Sequence, residues 1–188
     1  MTSETVAGTA RGAGTAAEPA ARTSQRIDER FAFEPHNCFA CGTLNANGLH
    51  LDLHVDGERC WTELAIPARF QGWDEIAHGG IVSTILDEVM AWSLVDHDNW
   101  GLTARLAVDF KRPVPLEQAI LTEGWITQSR RRLIYTAARI TNLARGELLA
   151  TAEATYVAAP ADRKRELKER YGYRAIRPVG PAADEAAT

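Results

Sequence analysis

The sequence predicts an α+β fold in which an antiparallel sheet curves around one long helix. Three observations predict it. After His78 the chain carries Ile81, Val82, Ile85, Leu86, Val89 and Met90, an apolar stripe too wide for a surface helix, so the helix lies inside the fold. From Gly101 to Val157 long alternating segments follow one another with short turns, the pattern of an antiparallel meander. Two shorter alternating segments flank Asp56-Gly57, a two-residue hairpin signal, ahead of the helix. One helix that is apolar on most sides needs a sheet wrapped around it.

The composition sets limits. With 188 residues, 45% hydrophobic and 24% charged, the chain can bury one good core. A formal net charge of −4 leaves no basic footprint for nucleic acid. No apolar run approaches the roughly 18–20 residues that span a bilayer, so no membrane partner is expected. The amino-terminal residues lack a signal peptide's apolar segment, and three cysteines suit a reducing compartment; the expected location is the cytoplasm.

Taken in order, residues 1–25 are rich in Ala, Gly, Thr, Ser and Arg and read as a disordered extension; residues 177–188 read as a flexible tail. The main domain is expected over 26–160. His36-Asn37-Cys38-Phe39-Ala40-Cys41-Gly42 holds a Cys-x-x-Cys pair, but a closed four-ligand metal site would also need Cys60, His36 or His50. A thioredoxin-type redox pair would want a strand before it and a helix after it, whereas Thr43 to Gly48 is a turn. The pair is therefore read as a structural turn with small buried thiols, and no metal is expected.

Leu49, Leu51, Leu53 and Val55 alternate with His50, Asp52 and His54, which predicts a half-buried strand; Cys60 to Ile66 is the returning one. Pro67 to Ala77 is a loop, and the central helix ends around Val95. Strands follow at Ala104 to Lys111, Ala119 to Gln128, Leu133 to Thr141 and Glu147 to Val157. In the second of these Ile120, Thr122, Gly124 and Ile126 face one way; in the third Ile134, Thr136, Ala138 and Ile140 do. Asp162 to Tyr171 is a short charged helix within a peripheral segment 161–176, with Asp162 as N-cap and Gly172 as the stop.

The chemically informative stretch is His78-Gly79-Gly80 with Asp87 and Glu88 downstream. Glycines before a helix let a ligand approach the free N–H groups of its first turn. A carboxylate inside an apolar stripe is costly to bury and needs a partner or a purpose. The bland readings are that Asp87 pairs with Arg105 or Arg139, and that Gly79-Gly80 only permits close helix packing.

The Cys-x-x-Cys-Gly turn with Asn47-Gly48-Leu49, the His78-Gly79-Gly80 to Asp87 spacing, and Thr103 to Pro113 together resemble the PaaI-like group of hotdog-fold thioesterases, over about residues 36–158. The resemblance implies a hotdog fold and hydrolysis of an acyl-CoA thioester, or of an acyl-carrier thioester, with no cofactor beyond the coenzyme A of the substrate. It implies that Asp87 is general base or nucleophile, that the N–H of Gly80, with Gly79 beside it, polarises the thioester carbonyl, and that Thr103 holds the water or the carboxylate. His78 is expected to shape the loop rather than transfer protons. Glu88 stands where many members of the group have a small hydroxyl residue; it and Asn47 are placed on the substrate side.

Arg130, Arg131 and Arg132 in a hairpin turn, or Lys111 and Arg112 at the mouth of the sheet, are candidates for the coenzyme A phosphates, the bland reading being a solvated loop. Trp61, Trp73, Trp92, Trp100 and Trp125 are expected mostly in core or interface. Gly80 and Asp87 are seven residues apart, roughly 10 Å along a helix, too far to serve one carbonyl from one chain. Two helices antiparallel across a two-fold axis would bring Gly80 of one chain to Asp87 of the other, so a homodimer, and possible pairing into a homotetramer, is expected. The competing functions are a hotdog hydratase or dehydratase and a non-hydrolysing acyl-thioester sensor.

Overall fold

The computed structural model describes residues 25–57 and 59–176. The tail expected at 177–188 and all but the last residue of the extension expected at 1–25 lie outside the described residues.

The chain begins with β1 (Gln25–Arg26), α1 (Ile27–Arg30) and β2 (Phe31–Ala32), and then makes the Cys38–Gly48 turns. β3 (His54–Val55) and β4 (Arg59–Ala65) form the first hairpin; β5 (Gln71–Trp73) and β6 (Ile76–Ala77) form a small one that leads into α2 (Gly79–Trp92). After a 3-10 turn at Val95–His97 come β7 (Gly101–Phe110), β8 (Ala119–Arg130), β9 (Leu133–Asn142) and β10 (Leu148–Ala158), then α3 (Ala161–Arg170) and β11 (Arg174–Ala175). The main sheet is antiparallel, in the order β1-β3-β4-β8-β9-β10-β7, so β7 is one of its edges. Helix α2 packs on β4, β7, β8, β9 and β10, the wrapped arrangement that the apolar stripe demanded.

The β-branched residues of α2 favour a helix only weakly, so burial has to hold it. Val82, Ile85, Leu86, Val89 and Met90 are all buried, each contributing about 1.5–3 kcal/mol by leaving water. The sheet offers them Ile120, Ile134, Ala138 and Ile140 on the face that the alternation predicted. Gly124 sets the closest approach: a Cβ there would lie 2.7 Å from the Val89 carbonyl carbon and 2.8 Å from the Met90 nitrogen. Only the absence of a side chain at this point lets the helix backbone rest on β8.

Some expectations are corrected. The alternation from Leu49 reproduces burial, with Leu51, Leu53 and Val55 inside, but only His54–Val55 pairs as a strand. His50 takes a left-handed φ of 51°, and the Leu49 and Leu51 amides donate to the Phe39 and Ala40 carbonyls at 2.8 and 2.9 Å, so the segment lines the Cys38 turn instead of a sheet neighbour. Helix α3 begins at Ala161 with Pro160 as its N-cap, leaving Asp162 in the first turn, where it still favours the helix dipole. Tyr173, just beyond α3, stacks with Phe31 and lies near Phe33 and Trp100, which ties the last described segment to the first. Trp73 is 81% exposed and does not belong to the core. None of the helices among the described residues is long and apolar enough to cross a membrane.

Candidate active site

The head of α2 is held from both sides. The His78 amide donates to the Phe70 carbonyl at 2.9 Å, and the Ala77 amide to Val114 at 2.9 Å, fixing the entry to the helix. His78 is the N-cap: its carbonyl accepts the Ile81 and Val82 amides, and its Nδ1 accepts the Gly80 N–H at 3.0 Å. The imidazole thus occupies the donor that the sequence reading assigned to substrate. Gly79 N–H has no acceptor among the described residues, and a Cβ at Gly79 would meet the Phe110 ring at 3.5 Å. Both glycines and His78 are exposed in the single chain.

Two turns on, Asp87 is half-buried and bound by two hydroxyls. Tyr156 Oη lies 2.7 Å from Asp87 Oδ1 and 2.9 Å from the Asp87 carbonyl. Thr103 Oγ1 lies 3.0 Å from Oδ1 and 3.3 Å from Oδ2. Oδ1 therefore takes the short contacts from both hydroxyls and is fixed, whereas Oδ2 keeps lone pairs for a water or an acyl carbon. Burial, then the Asp87 charge and hydrogen bond, push the Tyr156 phenol well above its ordinary range, so it stays a donor. The neighbours imagined for a merely structural Asp87 are elsewhere: Arg139 pairs with Glu123 at 2.7 Å, and Arg105 is exposed.

A bulge puts Thr103 there. On β10, Ala150, Ala152, Ala154 and Tyr156 face the helix; opposite them on β7 stand Phe110, Val108, Leu106 and then Thr103, because the register skips Ala104. Strict alternation would group Thr103 with Arg105, Ala107 and Asp109, on the far face. One extra residue turns it inward, a common use of bulges beside active sites.

Tyr156 is the site residue that sequence reasoning missed. The signal available was its position: a tyrosine on the core-facing side of a strand needs a partner for its hydroxyl.

Glu88 faces the other way. Trp92 Nε1 donates to its Oε1 at 2.9 Å, and its carboxylate lies with the sulfurs of Cys38 and Cys41, all within 4.8 Å of one another. Burial, then the charge of Cys38, raise the Glu88 carboxyl to about 7, while hydrogen bonds from Cys41 and Trp92 pull against them. Within the pair the Cys38 thiol is drawn down, chiefly by the Cys41 hydrogen bond, and Cys41 is driven up.

The remaining candidates are spread out. Asn47 is exposed in its turn, its amide donating to Asn45 Oδ1 at 3.1 Å. Arg130, Arg131 and Arg132 sit at the β8–β9 turn, the sheet end nearest Thr103, where the Arg132 guanidinium donates to the Ala158 carbonyl at 3.3 Å. Lys111 and Arg112 lie at the opposite end of β7, with Arg112 Nη1 on the Leu148 carbonyl at 3.1 Å and Lys111 3.5 Å from Asp109. One chain therefore brings Asp87, Thr103 and Tyr156 together and leaves the glycine pair and the second basic cluster apart.

Residues 75–149 match the family described as Thioesterase superfamily, a span that includes Gly79, Gly80, Asp87 and Thr103. No protein of curated function matches the chain. Among solved structures, a thioesterase superfamily protein is 24% identical with a TM-score of 0.61, the match covering 64% of this chain and 60% of that one. The Escherichia coli PaaI protein from the phenylacetic acid degradation operon is 14% identical with a TM-score of 0.56, over 60% of this chain and 81% of that one. A Streptococcus mutans protein bound to acetyl CoA is 17% identical with a TM-score of 0.54, over 58% and 88%. Residues 75–149 are thus similar to the thioesterase superfamily, and the chain shares the hotdog fold of these solved structures, the PaaI protein among them.

Proposed function

We propose that the protein hydrolyses an acyl-CoA thioester to the free acid and CoA, as a homodimer, with Asp87 as general base or nucleophile. The observation that carries this reading is the Asp87 carboxylate with one oxygen pinned by Thr103 and Tyr156 and the other available, on the helix that the thioesterase family match covers. The coenzyme A seen on a structural neighbour supports the same substrate class, with an acyl-carrier thioester as the variant of it.

The edge strand supports the dimer. β7 is ten residues long, has no second strand beside it among the described residues, and exposes Leu102 (76%) and Phe110 (52%), an edge of the kind that proteins normally cover. Antiparallel pairing of two such edges about their middles sets the Phe110 end of one protomer beside the Thr103 end of the other. The glycine pair beside Phe110 then faces the partner's Asp87, and Lys111 and Arg112 join the partner's Arg130 to Arg132 at one rim, where phosphates would bind. Pairing of two dimers into a tetramer would leave this site unchanged. Gly79 N–H, and Gly80 N–H once the exposed His78 ring releases it, would hold the developing oxyanion at the positive end of α2. Residence in the cytoplasm belongs to the same proposal, resting on the low cysteine content of three and on a CoA substrate.

The test is thiol release from a panel of acyl-CoAs by wild type, Asp87→Asn and Asp87→Ala, beside the oligomeric state in solution. Thiol release lost in both variants supports the reading. Enoyl absorbance change without thiol would make it a hydratase, binding without turnover would make it a sensor, and a fully active monomer would remove the two-chain site.

A further inference from the structure

We propose that Cys38, Cys41 and Glu88 bind a thiophilic divalent cation, zinc foremost, with a fourth position open to the cleft beside His36. This site is separate from the thioester reading and stands or falls without it. The sequence offered Cys60 or a histidine as the missing ligand; the fold instead supplies a carboxylate from the central helix, 47 positions beyond Cys41.

Three observations carry the proposal. The two sulfurs and a Glu88 oxygen lie within 4.8 Å of one another, and a tetrahedral zinc ion holds its ligand atoms roughly 3.3–3.8 Å apart, so closing on the ion takes only small side-chain shifts. The turn is built to present both sulfurs. Gly42 N–H closes it onto the Cys38 carbonyl at 3.0 Å, and a Cβ at Gly42 would fall 2.4 Å from the Cys38 nitrogen and from the His36 carbonyl, so no other residue fits.

The third ligand is itself supported. Trp92 Nε1 engages one Glu88 oxygen at 2.9 Å and leaves the other to bind, the outer contact that orients a ligating carboxylate. Two thiolates with one carboxylate select zinc over magnesium or calcium, which want oxygen alone. Three protein ligands, one of which, Cys41, lines a cleft of about 430 Å³ together with His36, Thr43 and His50, suit an open rather than a closed zinc site. Such an ion would clamp the Cys38 turn to α2 one residue beyond Asp87.

The full chain is purified in reductant without chelator, its metal content is measured, and the metal-free form is titrated with cobalt(II). About one zinc per chain is expected, with a thiolate-to-cobalt charge-transfer band that is absent in Cys38→Ser and Cys41→Ser. Glu88→Gln is expected to weaken the metal at least about tenfold. Because a serine variant can fail to fold, alkylation of the wild type gives a second readout: zinc should protect Cys38 and Cys41, and a chelator should expose them. The proposal is overturned by less than about a tenth of an equivalent of zinc together with no cobalt band, by a band indifferent to both cysteines, or by alkylation that a chelator does not change. Isolation of the chain with a Cys38–Cys41 disulfide that persists in the reductant, seen as a mass two hydrogens below that of the dithiol, would equally replace the metal with a redox pair.

Discussion

Asp87 and Glu88 are adjacent carboxylates on one helix, yet they live in different chemistry. A step of about 100° around α2 sends Asp87 toward the edge of the sheet, where two hydroxyls grip it beside solvent, and sends Glu88 under the Cys38 turn, against sulfurs and an indole. Burial, then the charge of Cys38 beside it, disfavours the ionised form of Glu88 and raises it to about 7. Neighbours in sequence thus lie in two separate settings, and the helix phase decides which acid enters which.

That contrast can be broken in four ways. The largest effect belongs to Asp87→Asn, which should lower kcat for thioester hydrolysis by about 10²–10⁴-fold, while Glu88→Gln should cost less than about tenfold. Steady-state kinetics on the two variants checks this, and the reverse ranking would hand the chemistry to Glu88. Next comes Thr103→Val, which should lower kcat by about 10–10²-fold, since a hydrogen bond to a charged group is worth about 1.5–3 kcal/mol. Deletion of Ala104 removes the extra residue and leaves Thr103 opposite Tyr156, two places from Leu106, so it should keep the inward turn and cost kcat less than Thr103→Val does. A deletion variant as impaired as Thr103→Val would show that this register does not aim the residue.

Tyr156→Phe should lower kcat by about tenfold and destabilise the fold by about 1–3 kcal/mol in denaturant unfolding, because Asp87 Oδ1 loses its shortest partner. The smallest effect concerns the other acid in chelator-treated protein. The folded-state pKa of Glu88 is raised above its unfolded value of 4.5 to about 7, so the native chain binds the extra proton between these values. The Glu88 contribution to stability, read as the difference between wild type and Glu88→Gln, should therefore fall as pH rises from about 4.5 to about 7 and level off above, by up to about 3 kcal/mol in all. Urea unfolding of both proteins at several pH values checks it.

Much of this was legible in the sequence, for a physical reason in each case. The stripe from Ile81 to Met90 and the alternation on β8 and β9 reflect burial, and burial is what the structure shows at those positions. The spacing from His78 to Asp87 is local to one helix, so it survives without coordinates. What failed depended on partners far away in the chain. Leu49 to Leu53 has a strand's pattern, but its amides bond to Phe39, Ala40 and no neighbouring strand, a choice that no periodicity encodes. The inward turn of Thr103 needs the skipped Ala104, and the meeting of Glu88 with Cys38 needs the wrap of the sheet around α2.

The empty place at Gly124 has a mechanical consequence. With helix backbone seated 2.7 Å from where a methyl group would stand, α2 is keyed to the sheet as a shaft is keyed to its hub. Gly124→Ala would have to lift the shaft off its seat, and any lift or roll there alters the bearing of both acids together. The two settings on opposite flanks of the helix share one alignment, so damage to that single contact should register in both.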